Sequence, residues 1–363
     1  MENYKFDTGI ITKERIQLFI KYLQNEETTD VDWNGRDLWV KNIHNVKIKI
    51  PHEEHGITDE YIKVFTSHLA TSVNKLFNRE HCELEAETLD FRFTCVYESR
   101  ALSGRTCIIR KVSRKVRMSY KYLIDTNYTQ EPILNLLINC SIAKCNFMIG
   151  GNPGIGKTEF GKLLSLYIAN WERVITLEDS PEWHYSELKP EADCIEIKVD
   201  EENFTYTDAL KACLRLNASR IFLSEVRSVE AKSLIECWST GVKGTSTIHC
   251  DSVREIPDRI LNMMPTRADA ERLENNVYTY LDIGVLINTK ISEEGREYRF
   301  IEEVCFFERN PVTKKNKVYM IVEDGQLIKR EIPERIKKKL LKVSVTDFFG
   351  IEDEIKEKYY ETK

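Results

Sequence analysis

The stretch FMIGGNPGIGKTEF, residues 147–160, decides the fold of this 363-residue chain. Its centre satisfies the pattern G-x-x-x-x-G-K-[ST] in full and consists of Gly151, Asn152, Pro153, Gly154, Ile155, Gly156, Lys157 and Thr158. Apolar residues follow at helical spacing, namely Phe160, Leu163, Leu164, Tyr167 and Ile168. The stretch therefore predicts a strand, a glycine-rich loop and a helix, with the loop at the positive end of the helix dipole.

These residue types suit a phosphate group held together with a divalent cation. Glycines let successive backbone N–H groups turn inward around a β-phosphate without Cβ clashes. Lys157 would place its charge on the β- and γ-phosphate oxygens, and the Thr158 hydroxyl would complete a Mg²⁺ ligand set. We therefore predict that the eight loop residues, together with Glu159, bind ATP and Mg²⁺. The alternative is a loop without function, and the strand–loop–helix context argues against it.

Composition and charge narrow the class of protein. The chain is long enough for two domains, and its hydrophobic and charged fractions of 42% and 31% are those of a soluble globular protein. The net charge of −6 argues against a general nucleic-acid-binding protein. No window predicts a membrane span, no secretory signal is present at the start, and the ten cysteines form no C-x-x-C pair. We therefore predict a cytoplasmic protein with reduced thiols.

The pattern of apolar and polar residues changes along the chain and predicts several domains. Residues 1–124 combine helical patterns, strand-like runs and an Asn-Gly turn signal at 34–35, which together predict a smaller α+β domain. Residues 125–132 are polar, end in proline and predict a linker. Residues 133–310 predict an α/β domain with a mostly parallel sheet, whose strand candidates are 146–149, 173–177, 220–224 and 245–249. Residues 311–363 are predicted to form a basic, helical appendage.

Two predicted strands of the α/β domain end in acidic residues. ITLEDSPE places Glu178 and Asp179 at one strand end, and RIFLSEVR places Glu225 at another, with Arg227 two positions later. Because the carboxyl ends of parallel strands meet at one edge, both sites would lie beside the phosphate loop. Acidic residues after strands are also ordinary helix N-caps, so either site alone is ambiguous. Two such sites downstream of a phosphate loop favour a role in binding Mg²⁺ and water.

Four segments together resemble a known family. GGNPGIGKT, ITLEDSPE, RIFLSEVR and GTSTIHCDS stand in the order of the Walker A, Asp box, Walker B and His box motifs. The chain resembles in them the secretion or traffic ATPases of type II and type IV secretion systems and type IV pili. The resemblance extends over residues 91–308. The paired C-x-x-C zinc motif of many type II secretion and pilus-extension members is absent, which favours the ring motors of type IV secretion and tight-adherence pili.

The resemblance implies a fold and an activity. It implies a RecA-like P-loop NTPase domain, preceded by a smaller PAS-like domain, with nucleotide in the cleft between them. The implied reaction is Mg²⁺-dependent hydrolysis of ATP to ADP and phosphate. The family assembles as hexameric rings, so the implied partners are further copies of the chain and membrane-embedded platform or secretion-channel proteins. The implied location is cytoplasmic and peripheral to the inner face of the cell membrane.

The resemblance also implies roles for residues of the α/β domain. Glu225 is the Walker B acid and is expected to bind Mg²⁺, directly or through water. Glu178 of the Asp box is expected to polarise the attacking water, although which glutamate has which role stays open. His249 is expected to sense the γ-phosphate, and Arg227 is expected to belong to the catalytic group.

Two arginines of the first domain complete the implied site. Arg92 and Arg110 resemble family arginines that reach the phosphates and stabilise the charge on the transferring group, either within one subunit or across a subunit boundary. The chain departs from the family pattern at three positions. Ser224 replaces the glycine that usually precedes the Walker B glutamate, Ser228 replaces the small or acidic residue usual after Arg227, and Asn217 stands where a second arginine is frequent. These departures put one arginine contact in doubt, but not the nucleotide site.

Three weaker signals have two interpretations each. His52 and His55 in PHEEHG could hold a metal ion, but the H-E-x-x-H spacing is not met and a solvated loop is preferred. Residues 110–121 carry six basic residues and no acid, which indicates either a contact with phosphates, a subunit or an anionic membrane, or a solvated strand edge. The lysines at 337–339 are expected on a solvated helix face, with membrane docking as the alternative.

Two other functions stay open from the sequence. A RecA-like DNA motor or helicase would need basic, aromatic-bearing loops along a channel, and the net charge and the His box argue against it. A nucleotide-binding assembly switch without turnover would not need the paired acids Glu178 and Glu225. We therefore predict a secretion or pilus ATPase and expect no direct binding of nucleic acid.

Overall fold

Two compact units, Met1–Ser113 and Arg114–Lys363, make up the chain. The computed structural model describes residues 13–43, 46–88, 90–112, 116–200, 202–264, 270–292 and 297–358. Each unit has its own hydrophobic core.

An antiparallel sheet forms the centre of the first unit. Its elements in chain order are α1 Lys13–Leu23, β1 Thr28–Trp33, β2 Leu38–Asn42, β3 Lys47–Ile50, α2 His52–His55, α3 Asp59–Ser72, β4 Glu83–Glu87, β5 Phe91–Val96 and β6 Thr106–Lys111. The strand order is β3-β2-β1-β6-β5-β4. Every second residue of β5 is buried, and Phe93 packs against Phe65 of α3 with ring centroids 6.0 Å apart. One face of the sheet is therefore covered by helix, which is the α+β arrangement that the sequence predicts.

The predicted hairpin joins β1 to β2 in this unit. The two strands pair antiparallel. Gly35 has a φ angle of +96°, which side chains other than glycine rarely adopt. The side-chain oxygen of Asn34 accepts hydrogen bonds from the backbone N–H groups of Arg36 and Asp37, at 3.0 and 2.9 Å. The turn chemistry of the Asn-Gly pair therefore operates as expected.

The second unit is built on a nine-stranded sheet of order β15-β14-β13-β12-β7-β11-β10-β8-β9. Its elements are α4 Tyr120–Asp125, α5 Glu131–Ile142, β7 Phe147–Gly150, α6 Lys157–Leu166, β8 Val174–Glu178, α7 Tyr185–Leu188, β9 Cys194–Lys198, α8 Tyr206–Cys213, β10 Arg220–Leu223, α9 Glu230–Ser239, β11 Lys243–Ile248, a 3₁₀ turn Val253–Glu255, α10 Ile256–Asn262, α11 Ala270–Tyr280, β12 Ile283–Ile291, β13 Glu297–Arg309, β14 Asn316–Glu323, β15 Gln326–Leu327, α12 Glu334–Lys342 and α13 Asp353–Lys358. The six strands from β12 to β9 in this order are parallel, and β13 to β15 extend the sheet antiparallel.

The central strands of this sheet are buried on both faces. Every residue of β7, β8 and β10 is buried, which explains why these segments are short apolar runs rather than alternating ones. Phe147 and Ile149 of β7 point into one core cluster and Met148 into the other, so apolar clusters lie on opposite faces. The four predicted strands correspond to β7, β8, β10 and β11, and the mostly parallel α/β sheet is confirmed.

The unit extends beyond the predicted boundaries at both of its ends. Residues 125–132, predicted as a linker, include the end of α4 and the first two residues of α5, and Tyr128 is buried in the same core as α5. Residues 311–363, predicted as an appendage, instead contribute β14, which pairs with β13. In addition, Ile336 and Leu340 of α12 belong to that core. Their partners are distant along the chain, so the sequence pattern alone does not reveal that these segments belong to the unit.

Asp282, a fully buried acid, holds helix α12. Its carboxylate oxygens lie 2.5 Å from Arg335 Nη1 and 2.6 Å from Lys339 Nζ, and one of them accepts the backbone N–H of Asn146 at 2.7 Å. The expectation of a solvated lysine face is therefore wrong for Lys339, because its charge compensates a buried acid. Lys337 does lie on the surface side, where it pairs with Glu334.

A C-terminal strap, residues 344–351, lies along α5. Asn139 Nδ2 donates to the carbonyl oxygen of Gly350 at 2.7 Å, and Asn135 Nδ2 donates to that of Phe349 at 3.1 Å. Both asparagines are buried, whereas the rest of the α5 face is apolar. The two amide groups therefore hold the backbone of the strap in place.

Two weaker sequence signals have structural explanations. His55 is buried, and its Nδ1 accepts the backbone N–H of Ile57 at 2.9 Å, so the preferred solvated loop is wrong for this residue. In the described ranges, no group of three or more His, Cys, Asp or Glu side chains is arranged to hold a metal ion.

No helix in the same ranges has the length and apolarity needed to cross a membrane.

Candidate functional site

The phosphate loop connects β7 to α6, and its glycines adopt conformations that other residues disfavour. Gly151, Gly154 and Gly156 have φ angles of +137°, +71° and +101°. A Cβ atom on Gly151 would lie 2.4 Å from the carbonyl oxygen of Ile287 on β12. A Cβ atom on Gly154 would contact nothing within 4 Å. The loop is therefore packed against β12 at Gly151, whereas a side chain at Gly154 would meet no neighbouring atom.

Lys157 is the buried cation of the loop. Its Nζ donates to the carbonyl oxygens of Gly151 at 2.9 Å and Asn152 at 3.2 Å, and it lies 3.0 Å from Nδ1 of His249. Burial lowers the pKa of Lys157, while the nearby charge of Glu225 opposes this shift. The ammonium group is thus enclosed by its own loop and directed at the same edge of the sheet as the acids.

The parallel topology brings the other predicted residues of this unit to that edge. The order β7-β11-β10-β8 places the carboxyl ends of four strands side by side. Glu178 is the last residue of β8, Glu225 follows β10 by two positions, and His249 follows β11 directly. The edge therefore combines the phosphate loop with the Asp box, the Walker B segment and the His box.

A continuous chain of contacts links the loop lysine to two acids. His249 Nε2 lies 2.5 Å from Glu225 Oε1. Arg227 Nε donates to the other carboxylate oxygen of Glu225 at 2.8 Å, and Arg227 Nη1 donates to Asp179 at 3.0 Å. His249 Nδ1 also lies 3.0 Å from the carbonyl oxygen of Gly151, so one ring nitrogen faces the phosphate loop and the other faces Glu225. His249 thus bridges the loop cation and the Walker B acid.

Glu178 has a different environment from Glu225. It is buried, and its Oε1 accepts the backbone N–H groups of Glu182 and Trp183 at 2.9 and 3.0 Å. Burial raises the pKa of Glu178 from 4.5 to about 8, against the opposing effect of these two hydrogen bonds. At pH 7 the carboxyl group is therefore mostly protonated and holds the turn that follows β8.

That turn places a further acid beside the loop. Glu182 Oε2 accepts a hydrogen bond from Thr158 Oγ1 at 3.0 Å. The next residue, Trp183, is fully buried beneath α6, where a Cβ atom on Gly161 would lie 2.7 Å from its ring. The hydroxyl that the sequence predicts as a Mg²⁺ ligand is thus adjacent to a carboxylate that the sequence analysis did not assign.

Glu159, predicted to bind nucleotide, is directed elsewhere. Its carboxylate accepts hydrogen bonds from Lys162 Nζ at 3.0 Å and from the backbone N–H of Arg117 at 3.1 Å. Lys162 is itself almost fully buried, so this contact compensates a buried charge. The side chain of Glu159 therefore ties α6 to the segment before α4.

The two predicted arginines of the first unit are neighbours. Arg92 on β5 and Arg110 on β6 are Cα partners across the strand pair, so their side chains start from the same face of the sheet. Arg92 Nε lies 3.4 Å from Glu87, and Arg110 Nε lies 2.9 Å from Asp30. More than half of the Arg110 side chain is exposed. Their contact with a nucleotide stays a prediction.

The donor set at the edge fits a triphosphate bound with Mg²⁺. Three loop glycines adopt positive φ angles that other residues disfavour, and Lys157 supplies a cation. Thr158 Oγ1 and the carboxylates of Glu182 and Glu225 supply oxygen ligands, which Mg²⁺ prefers. These residues would hold the nucleotide and the metal ion.

Sequence reasoning missed two contributors to this edge. Glu182 is the last residue of ITLEDSPE, so the motif itself contained the signal. Tyr206, on α8, accepts the backbone N–H of Asp179 at 3.0 Å, and its hydroxyl lies 2.9 Å from Ser224 Oγ. Burial raises the pKa of Tyr206. No local pattern marks this tyrosine, because its partners are distant along the chain.

Comparisons with known proteins agree with this arrangement. Residues 71–283, more than half of the chain, match the family described as "Type II/IV secretion system protein". An uncharacterised protein of Bacillus anthracis is 26% identical over 260 residues, which are 71% of this chain and 58% of that protein. The type IV secretion system protein VirB11 of Brucella suis is 29% identical over 177 residues, which are 46% of this chain and 48% of VirB11. The chain thus spans about half the length of these curated relatives.

A solved structure is similar over a larger share of the chain. The pilus retraction motor PilT, crystallised with bound ADP, has a TM-score of 0.58 and 18% identity, with 82% of this chain and 84% of that chain covered. At this identity the likeness shows the fold.

Proposed function

Since this chain belongs to the type II/IV secretion system protein family, we propose that it is a Mg²⁺-dependent ATPase that releases ADP and phosphate. The proposal is supported by the relatives, because VirB11 is a type IV secretion system protein and PilT is a motor crystallised with ADP. It is supported independently by the phosphate loop and the acids at one edge of a parallel sheet. We further propose that this second unit is a RecA-like domain and the first a PAS-like one.

The contact chain from Lys157 through His249 to Glu225 is the observation that carries the proposal. A loop that served structure alone would not need a buried lysine whose contacts lead to a carboxylate on another strand. A bound γ-phosphate would attract the Lys157 ammonium and so weaken its contacts with the loop carbonyl groups and with His249. Nucleotide binding would therefore be transmitted to Glu225 and Arg227 through the imidazole.

The geometry favours Glu225 over Glu178 as the group that orients the attacking water. Glu225 Oε1 lies 2.5 Å from His249 Nε2, and its other carboxylate oxygen accepts a hydrogen bond from Arg227 Nε. Glu178 is mostly protonated at pH 7, because burial raises its pKa to about 8, and one of its oxygens is occupied by two backbone N–H groups. A protonated carboxyl group cannot accept a proton from water. Bound Mg²⁺ would neutralise charge on the phosphates.

We propose that the ATPase works as a homohexameric ring on a membrane secretion or pilus machine. In the ring, Arg92 and Arg110 would act as arginine fingers on the phosphates, which accords with their neighbouring positions on β5 and β6. The partners would be membrane-embedded platform or secretion-channel proteins. The location would be cytoplasmic, at the inner face of the membrane.

Phosphate release by the purified full-length protein with ATP tests the proposal. Lys157→Ala should abolish ATP binding, and Glu225→Gln should lower kcat by about 100-fold or more while ATP binding is retained. Addition of EDTA should stop turnover, because the donor set requires a divalent cation. Light scattering should give the mass of six chains when ATP is present.

Matched controls separate these effects from a general loss of charge. Lys211→Ala and Glu236→Gln remove the same charges from exposed positions on α8 and α9 and should leave the rate unchanged. ATP binding by a hexamer without any turnover would contradict the ATPase proposal and indicate an assembly switch. Strong stimulation by single-stranded DNA would indicate a DNA motor instead.

A further inference from the structure

The guanidinium group of Arg299 lies against the middle of the phosphate loop. Its Nη2 donates to the carbonyl oxygen of Gly154 at 3.3 Å, and its Nη1 lies 3.7 Å from the position that a Cβ atom on Gly156 would take. Arg299 is on β13, opposite Thr289 of β12. The pairing of β12 with β7 ends at Gly150, and the β12–β13 hairpin continues beyond it. The hairpin therefore brings a second cation to the loop.

The two cations occupy different parts of the loop. Lys157 Nζ bonds to the carbonyl groups at the beginning of the loop and faces His249 and Glu225. Arg299 contacts the loop three residues later, and its strand β13 lies on the other side of β7 from β11 and β10, which His249 and Glu225 follow. The acids and the histidine mark the end at which the γ-phosphate would be hydrolysed. Because the phosphates of a nucleotide are arranged in line, the nucleoside end lies on the other side.

The surroundings of Arg299 also suit a nucleoside rather than a bare phosphate. Met118 Cε lies 3.2 Å from the same Cβ position on Gly156 that Arg299 approaches. An apolar thioether and a planar cation thus stand together beside the loop. A guanidinium group presents five N–H donors in a fixed fork, so it can serve a backbone carbonyl and a phosphate oxygen at the same time.

We propose that Arg299 binds the α-phosphate side of a nucleoside di- or triphosphate and determines affinity rather than rate. This assignment rests on the proposed function. It differs from the role of an arginine finger, which stabilises charge at the γ-phosphate and therefore changes kcat. Loss of Arg299 should weaken ADP and ATP equally, because both carry the α-phosphate and the ribose.

Competition against a fluorescent ADP analogue, with the full-length protein, tests this assignment. Arg299→Ala should raise the Kd for ADP about tenfold, as expected for a charge-assisted hydrogen bond, and leave the Kd for pyrophosphate within about twofold. Arg299→Lys should give an intermediate Kd. The rate at saturating ATP should stay within about twofold of the unsubstituted protein. Lys290→Ala is the matched control, because it removes a cation from the same hairpin.

The outcomes distinguish this assignment from the proposed function. An unchanged Kd for ADP in Arg299→Ala, together with loss of binding in Lys157→Ala, would overturn the assignment alone. Equal weakening of ADP and pyrophosphate would also overturn it, because Arg299 would then act only by shaping the loop. Retention of ADP binding by Lys157→Ala would overturn the proposed function and this assignment with it.

Discussion

Replacement of Glu178 by glutamine removes a buried carboxyl group but keeps an oxygen for the backbone N–H groups of Glu182 and Trp183. Burial raises the pKa of Glu178 from 4.5 to about 8 in the folded chain. Between these two values the folded chain holds a proton at Glu178 that the unfolded chain has lost. The free energy of unfolding therefore falls as the pH rises through this window, and the contribution of Glu178 is largest at acidic pH.

The magnitude follows from the same shift. A difference of one bound proton between the folded and unfolded chains changes the free energy of unfolding by about 1.4 kcal/mol per pH unit. Glu178 should therefore lower the free energy of unfolding by about 2–3 kcal/mol between pH 6 and pH 8. For a folded unit of this size, 1 kcal/mol corresponds to about 2–4 °C in Tm. Glutamine does not ionise, so Glu178→Gln should lack this slope. Its Tm should gain roughly 4–12 °C relative to the unsubstituted protein over the two pH units.

Differential scanning calorimetry at pH 6, 7 and 8 provides the measurement. Glu191→Gln, on an exposed loop, controls for the loss of one carboxylate and should follow the unsubstituted protein. Glu178→Gln should also keep most of its ATP hydrolysis at pH 7, in contrast to Glu225→Gln. Parallel Tm curves for Glu178→Gln and the unsubstituted protein would refute the reasoning, because Glu178 would then be ionised in the fold and available as a base.

Two further expectations concern the carboxy-terminal part of the chain. Asn139→Ala removes the amide that holds the C-terminal strap, so the strap should become sensitive to chymotrypsin, at a cost of about 1–3 kcal/mol in stability measured by urea unfolding. Asp282→Asn leaves the charges of Arg335 and Lys339 without their buried acid and should lower the unfolding free energy by about 3–5 kcal/mol. Glu334→Gln, at an exposed ion pair on the same helix, should leave the unfolding free energy essentially unchanged.

The central strands were predictable because local sequence determines them. A strand buried on both faces must be a short apolar run, and β7, β8 and β10 are such runs. Segments that depend on distant partners were not predictable. The lysines of α12 look solvated until Asp282, more than fifty residues away, is placed beneath Lys339. Likewise, the apolar run at 318–322 does not reveal its own partner, and only the pairing with β13 shows that β14 extends the sheet.

The candidate site also combines features that local sequence determines with features that depend on distant partners. The loop pattern and the acids at strand ends predict that Lys157, Glu225 and His249 meet, because parallel strands have their carboxyl ends at one edge. The sequence does not distinguish Glu178 from Glu225, since both follow apolar strands. The two glutamates differ in burial, which raises the pKa of Glu178 and keeps its carboxyl group protonated. This burial depends on the turn after β8, in which the backbone N–H groups of Glu182 and Trp183 bond to the Glu178 oxygen.

The position of Trp183 makes its intrinsic fluorescence sensitive to changes at the phosphate loop. The indole is stacked on Phe222 at 4.5 Å between centroids, lies under the helix that begins at Lys157, and adjoins Glu182 along the backbone. Any rearrangement at Thr158 alters its surroundings, and with them its emission wavelength and lifetime. Trp171, by contrast, is 74% exposed, so a soluble quencher such as acrylamide would quench its fluorescence first. Trp33 and Trp238 are also buried, so a variant in which both are phenylalanine would be needed to assign a change in buried tryptophan emission to the loop.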